Sequence, residues 1–167
     1  KPFIMGESDE RMPLFIKPEK KVSARDVQNI MRDHFEGTEL DMRKDAGAGA
    51  FKVPYRWGPL TWEVNGETYL NERAIATQQT GFSFVAEMRN WLPDPVGGIL
   101  WFGVDDANAS VYVPMYAGIE SAPYEYKQGN GNMLEFTWDA AFWVFNWVSN
   151  MSYTRYSYMI EDIREAQ

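Results

Sequence analysis

Cysteine is absent from this 167-residue sequence, and histidine occurs once, at His34. The first absence rules out disulfides and thiolate metal sites, and the second rules out any multi-histidine metal centre or histidine-based triad. Neither absence identifies a compartment, because a missing residue type reports weakly on redox conditions. Basic residues are also scarce. Sixteen Lys and Arg against 24 Asp and Glu give a formal charge of -8, which argues against nucleic acid as a partner, since phosphate neutralisation needs clustered cations. The one compact basic run, Lys17 to Lys21, is broken by Pro18 and Glu19 and reads as a solvated turn. No apolar run nears the roughly 20 residues that span a bilayer, and no charged start with an apolar core suggests a signal peptide.

What is present is apolar and aromatic. Hydrophobic residues make up 45% and aromatics 16% of the chain, ample for the core of one globular domain over residues 1–167. Met12 to Ile16 reads as a short strand or an extended lead-in. A helix is expected from Ser23, where Ser23-Ala-Arg-Asp26 matches a capping box and Val27, Ile30, Met31 and His34 share one face, closed by Gly37. Residues 38 to 60 form a long Gly- and Pro-rich loop. Thr61 to Leu70 is strand-like around Asn65-Gly66, a strong hairpin signal.

Alternation in Phe82-Ser-Phe-Val predicts a strand over about residues 81 to 88. Pro93-Asp-Pro95 and Gly97-Gly98 turn the chain into Ile99 to Val104, an apolar run expected of a strand covered on both faces. Its partner, Ser110 to Tyr116, contains Pro114, which lacks a ladder donor and so predicts a bulge or an edge. Thr137 is expected to cap a helix that is apolar around most of its circumference, and hence buried between layers. A last helix is expected from Tyr153 to Gln167. It meets no Gly, Asn or Pro stop signal, so it is expected to continue, and with no initiator Met the chain reads as part of a longer protein.

Few residues carry obvious chemistry. Asp105-Asp106-Ala-Asn108 could chelate a hard cation, but it lacks the Gly and distal Glu of a calcium loop, and Asp and Asn ordinarily satisfy turn backbone. Turn formation is the stronger reading, and no metal or cofactor is expected. His34 suits a helix C-terminus, where a structural role outweighs catalysis. Ser83 sits inside an apolar strand without a G-x-S-x-G elbow. Most aromatics fall at core spacing, leaving Tyr55, Trp57, Tyr124 and Tyr126 on loops as candidates for a ligand surface. Arg89 could grip a carboxylate by a bidentate contact, against the plainer reading of a strand-end surface arginine.

A resemblance adds to these readings. Asp41-Met-Arg-Lys-Asp-Ala-Gly-Ala-Gly49, Pro54-Tyr-Arg-Trp-Gly-Pro-Leu-Thr-Trp62, Asn71 to Phe82, Trp91-Leu-Pro-Asp-Pro95, Leu100 to Asn108 and Phe142-Trp-Val-Phe-Asn-Trp147 closely resemble the dipeptidase A family of cysteine N-terminal-nucleophile hydrolases. They cover most of residues 39 to 167 in matching order. The resemblance implies an α+β fold, part of a four-layer αββα sandwich, in a parent enzyme that hydrolyses dipeptides through an exposed N-terminal Cys whose own α-amine is the base.

The chain departs from that pattern at the decisive position, because it starts with Lys1 and has no Cys. It therefore resembles an internal to C-terminal section, expected to be inactive alone and to need the remainder of its parent chain. No catalytic residue carries over. The resemblance raises Arg89 and Gln79 to candidate substrate-pocket residues. Apolar surface left by missing layers predicts self-association of the isolated chain. Two other readings stay open: a peptide- or glycan-binding module built on loop aromatics, and a purely structural interaction domain.

Overall fold

The computed structural model describes residues 2–3, 6–56, 61–70 and 73–167. The fold is α+β, with antiparallel strands and four helices among the described residues. Residues 8 to 22 carry no regular structure, so Met12 to Ile16 is an irregular lead-in with Leu14 and Phe15 each 88% exposed. The basic run at Lys17 to Lys21 is exposed throughout.

Helix α1 spans Ala24–Met31, and its start follows from the sequence. Ser23 Oγ accepts from the Asp26 amide (3.1 Å) while Asp26 Oδ2 accepts from the Ser23 amide (2.9 Å), which satisfies two otherwise orphaned donors. The helix stops earlier than expected, at Met31 with Arg32 as its C-cap, so His34 lies beyond it. The expected apolar face is also shifted: Ile30 is 50% exposed, whereas Gln28 and Arg32 are buried. After a loop holding the 3-10 turn Ala46–Ala48, β1 (Thr61–Val64) and β2 (Glu67–Leu70) pair antiparallel. Asn65 (φ 54°) and Gly66 (φ 82°) both take the left-handed conformation of a two-residue hairpin turn.

A second sheet has the order β3-β4-β5, with β3 at Phe82–Met88, β4 at Gly98–Val104 and β5 at Val113–Tyr116. Helix α2, a single turn over Asp94–Gly97, leads into β4 where the sequence suggested only a turn. Strand β5 is shorter than expected and lies at an edge, where Pro114 opposite Trp101 needs no outer partner. The register Val85↔Trp101 and Phe84↔Phe102 sorts residues onto two faces. On one, packed against α1, Ser83, Val85, Ile99 and Gly103 are buried. Burying Val85 and Ile99 contributes about 1.5–3 kcal/mol each.

The other face is open. Phe82, Phe84, Met88 and Leu100 are 61%, 52%, 78% and 38% exposed. The expectation that Ile99 to Val104 is covered on both faces is thus corrected: within the described residues one layer covers it, and Leu100 faces outward. Helix α3 runs over Ala141–Ser152 and α4 over Tyr156–Ala166. Thr137 does not cap α3. Its hydroxyl accepts from the Asp139 amide in a turn four residues ahead of the helix. Nor is α3 enclosed all round, for its most buried positions are Ala141, Ser149 and Ser152, while Trp147 is 48% exposed. Among the described residues no helix is long and apolar enough to cross a membrane.

Candidate functional site

The turn that follows β4 organises a buried polar cluster. Asp105 takes φ 62°, a conformation that Asp tolerates better than most residues, and its amide donates to the Gly81 carbonyl (2.8 Å). Asp106 and Asn108 are fully buried. Asp106 Oδ1 accepts from the Asn108 amide (3.0 Å), and its main-chain carbonyl accepts from the amides of Ala109 and Ser110, each at 3.0 Å. Its other oxygen, Oδ2, is the hub. Tyr55 donates to it from the long loop, Tyr153 donates to it at 2.7 Å from the end of α3, and Ser149 stands at 3.4 Å. Ser149 Oγ lies closer to the Tyr153 hydroxyl, 2.6 Å, so it donates to a phenol oxygen whose own proton goes to Asp106. Asn108 Nδ2 then donates to Tyr156 (2.9 Å), and Asn108 Oδ1 accepts from Arg164.

The network joins the long loop, the β4–β5 turn, α3 and α4. Burial and the neighbouring Asp106 carboxylate push the Tyr55 and Tyr153 phenols well above their ordinary range, and burial pushes Tyr156 up to about 12. All three phenols therefore act as protonated donors or acceptors at neutral pH, not as bases. Edge-to-face packing of Tyr55 on Tyr153, centroids 4.3 Å apart, locks the arrangement. Both Asp106 oxygens and Asn108 Oδ1 are taken by these hydrogen bonds. Among the described residues, no group of three or more His, Cys, Asp or Glu side chains could hold a metal.

Above this network opens a polar cleft of about 470 Å³, lined by Gln78, Gln79, Asp105, Asn146, Asn150 and Tyr153, with Ser149 at its base. Asn146 Nδ2 donates to Asp105 Oδ1 (3.2 Å), and burial pushes the Asp105 carboxyl up. Four amide side chains and one carboxyl can together meet the donors and acceptors of a peptide group and a charged amine.

Gln79 is thus on the cleft wall, but Arg89 is not. Arg89 follows the far end of β3, where Nη2 donates to the Val96 carbonyl (2.5 Å), Nε lies 3.8 Å from Glu87 and its guanidinium stacks near Tyr116. A seven-residue strand separates the two candidates, a span of about 20 Å at the usual rise. The structure does not bring them together.

Other expected residues settle into structural surroundings. Tyr55 is in the buried network and not on a ligand surface, which corrects that reading. Tyr126 is partly buried against Phe102, Tyr124 is 56% exposed, and Trp57 lies outside the described residues. His34 is fully buried and packs its ring edge-on to Tyr55 (5.2 Å). Ser83 Oγ shares a hydrogen bond with the Tyr112 hydroxyl (2.9 Å). Sequence reasoning missed Ser149, Tyr153 and Asn146 as partners of the Asp turn. Their signal was polar side chains at three- and four-residue spacing inside an otherwise apolar helix, a pattern that marks a buried polar contact.

Residues 2–167 match peptidase family C69, and the chain belongs to that family. Curated relatives include a "Probable dipeptidase" of Latilactobacillus sakei, 27% identical over 117 residues (70% of this chain and 21% of the relative). A "Probable dipeptidase B" of Lactococcus lactis is 22% identical over 123 residues (74% and 22%), and a "Probable dipeptidase" of Salmonella dublin is 26% identical over 110 residues (66% and 21%). The matched stretch spans about a fifth of the length of these relatives. No solved structure matches the chain.

Proposed function

We propose that this chain is one section of a dipeptidase of the N-terminal-nucleophile type, that its attacking Cys lies on a stretch outside these residues, and that the chain alone is inactive. The observation that carries the reading is the open face of the β3-β4-β5 sheet, with Phe82, Phe84, Met88 and Leu100 exposed in register. An αββα sandwich packs two sheets face to face through such apolar surfaces. One helix layer already covers the opposite face. The remainder of the parent chain would supply the facing sheet, and the length of the relatives leaves ample chain for it.

On this reading the polar cleft takes the substrate. A dipeptide carries an ammonium, one peptide group and a carboxylate within about 7 Å of extended backbone. Asp105 would receive the ammonium, while Gln79 and Asn146 would meet the peptide group. A single dipeptide cannot also reach Arg89 across the length of β3, so Gln79 is the pocket residue we favour and Arg89 the comparison.

Dipeptide turnover by the 167-residue chain and by its full-length parent tests both statements. The chain alone should release no amino acids, and Gln79→Ala in the parent should raise KM about tenfold, as expected for one lost substrate hydrogen bond in a closed site. Arg89→Ala should leave KM near wild type. Turnover by the isolated chain would overturn the reading.

A further inference from the structure

A second cleft, of about 320 Å³, lies between α1 and α4 and shares no lining residue with the polar cleft. Arg25, Arg32, Arg43 and Arg164 line it together with Asp33 and Glu36. Arg25 and Arg32 are seven residues apart on α1 and its C-cap, hence on one side of the helix. Four arginines in one cleft are unexpected in a chain of net charge -8.

Arg32 is the unusual member. It is 3% exposed, yet its Nε and Nη1 have no hydrogen-bond partner. Its Nη2 makes only a long contact to the Ser110 carbonyl (3.4 Å), and the Tyr112 ring lies 5.0 Å from the guanidinium. Burial pushes Arg32 down to about 10, partly offset by Tyr112, and the charges of Arg164 and Arg25 push the same way as burial. A buried guanidinium with vacant donors beside two like charges is costly unless an anion joins it.

Arg25 and Arg164 also keep donors free. Arg25 spends Nη1 on the Gln167 carbonyl (2.8 Å), and Arg164 spends Nη1 on Gln167 Oε1 (2.9 Å) and Nη2 on Asn108. Each guanidinium has five N–H groups.

We infer that this cleft is a binding site for a small monocarboxylate, held by Arg32, Arg25 and Arg164. The charge count favours a monoanion over a dianion. Asp33 and Glu36 sit in the wall, and Arg43 is already taken by Asp41 through bonds of 2.9 and 2.8 Å. Among the side chains four positive charges against three negative leave one, and the terminal carboxylate of Gln167, bonded to Arg25, offsets it unless that carboxylate is capped. A planar carboxylate also matches the guanidinium fork. The site stands apart from the proposed substrate cleft and does not depend on that assignment.

Thermal unfolding of the 167-residue chain with its C-terminus amidated, titrated with sodium acetate at constant ionic strength against sodium chloride, tests the site. The unfolding midpoint should rise with acetate and saturate, with little change in chloride. Arg25→Gln and Arg164→Gln should each weaken acetate binding about tenfold, and both side chains are exposed enough for the variants to fold. Side-chain Nε–H resonances of the arginines, followed by NMR, should move with the same saturation curve. A linear, non-saturating rise would mark a general salt effect and overturn the site, as would variants that bind acetate like wild type. Tighter binding of sulfate than acetate would overturn the monocarboxylate assignment.

Discussion

Asp106 is fully buried, and its Oδ2 accepts from Tyr55 and Tyr153 at once. Asp106→Ala removes the acceptor shared by the Tyr55 and Tyr153 hydroxyls. Leaving several buried polar groups unpaired should cost about 3–5 kcal/mol, whereas Tyr153→Phe removes one hydroxyl together with its need for a partner and should cost about 1 kcal/mol. Urea unfolding of both variants checks the ratio. Equal losses would mean that the hub is not Asp106. Asp41 makes a different kind of residue-level prediction. Its side chain is buried, and bonds from Arg43, with amide bonds from Gly37 and Arg43, hold its carboxyl well below the usual range against the opposing push of burial. A depressed native value means that the unfolded chain binds the proton more readily, so the stabilisation is complete above about pH 3.8 and drains away as pH falls below it. Asp41→Asn should be less stable than wild type at neutral pH by about 1–3 kcal/mol. Its loss of stability below about pH 3.8 should be shallower, as urea midpoints taken across that range would show.

Among the elements, α1 depends on its start. The reciprocal bonds of Ser23 and Asp26 fix the first turn of an eight-residue helix, too short to hold itself by propensity. Ser23→Ala should cost about 1 kcal/mol, read from chemical denaturation, and Ser23→Asp, which restores an acceptor, should recover most of it. This start was legible in the sequence because a cap is a local pattern, and so were the Asn65-Gly66 turn and the strand at Phe82–Met88. The end of α1 was less legible. His34 falls at helical spacing from Ile30 and Met31, but the helix ends at Met31, Phe35 takes φ 63° and His34 packs against Tyr55, a contact distant in sequence. The start of α3 slipped for a related reason. Thr137 has the chemistry of a cap, and a turn took it first. The polar cluster was least legible of all: Asp105-Asp106-Ala-Asn108 was seen as a turn, but the phenols that complete it arrive from positions 47 to 51 residues away, and no local pattern reports such a meeting.

At the scale of the whole molecule, the sheet has one helical cover and one bare face. An apolar run such as Gly98–Val104 normally signals cover on both sides, and among the described residues no second layer covers Phe82, Phe84, Met88 and Leu100. The exposed surface crosses strands, because Ala86 stands opposite Leu100 in the β3–β4 register, while Phe102, opposite Phe84, is half-buried against Tyr126. Its exposed aromatic and aliphatic side chains each gain up to about 1.5–3 kcal/mol on full burial, and Phe82, Phe84, Met88 and Leu100 of two copies together offset the roughly 4–15 kcal/mol that association costs. The isolated chain should therefore self-associate through this face. Sedimentation velocity should show a mass above 19.3 kDa that grows with concentration. The double variant Phe84→Glu and Met88→Glu should sediment as a monomer with an unchanged unfolding midpoint, because both side chains are already exposed, at 52% and 78%. A variant that still associates would place the contact elsewhere, with the aromatic surface of Trp138 and Trp147 beside α3 as the next surface to test. In the full-length parent the same double substitution should behave in the opposite way, lowering stability by several kcal/mol, since two charges would then face a packed sheet without partners. That reversal separates a face built to be covered by its own chain from one that only tolerates exposure.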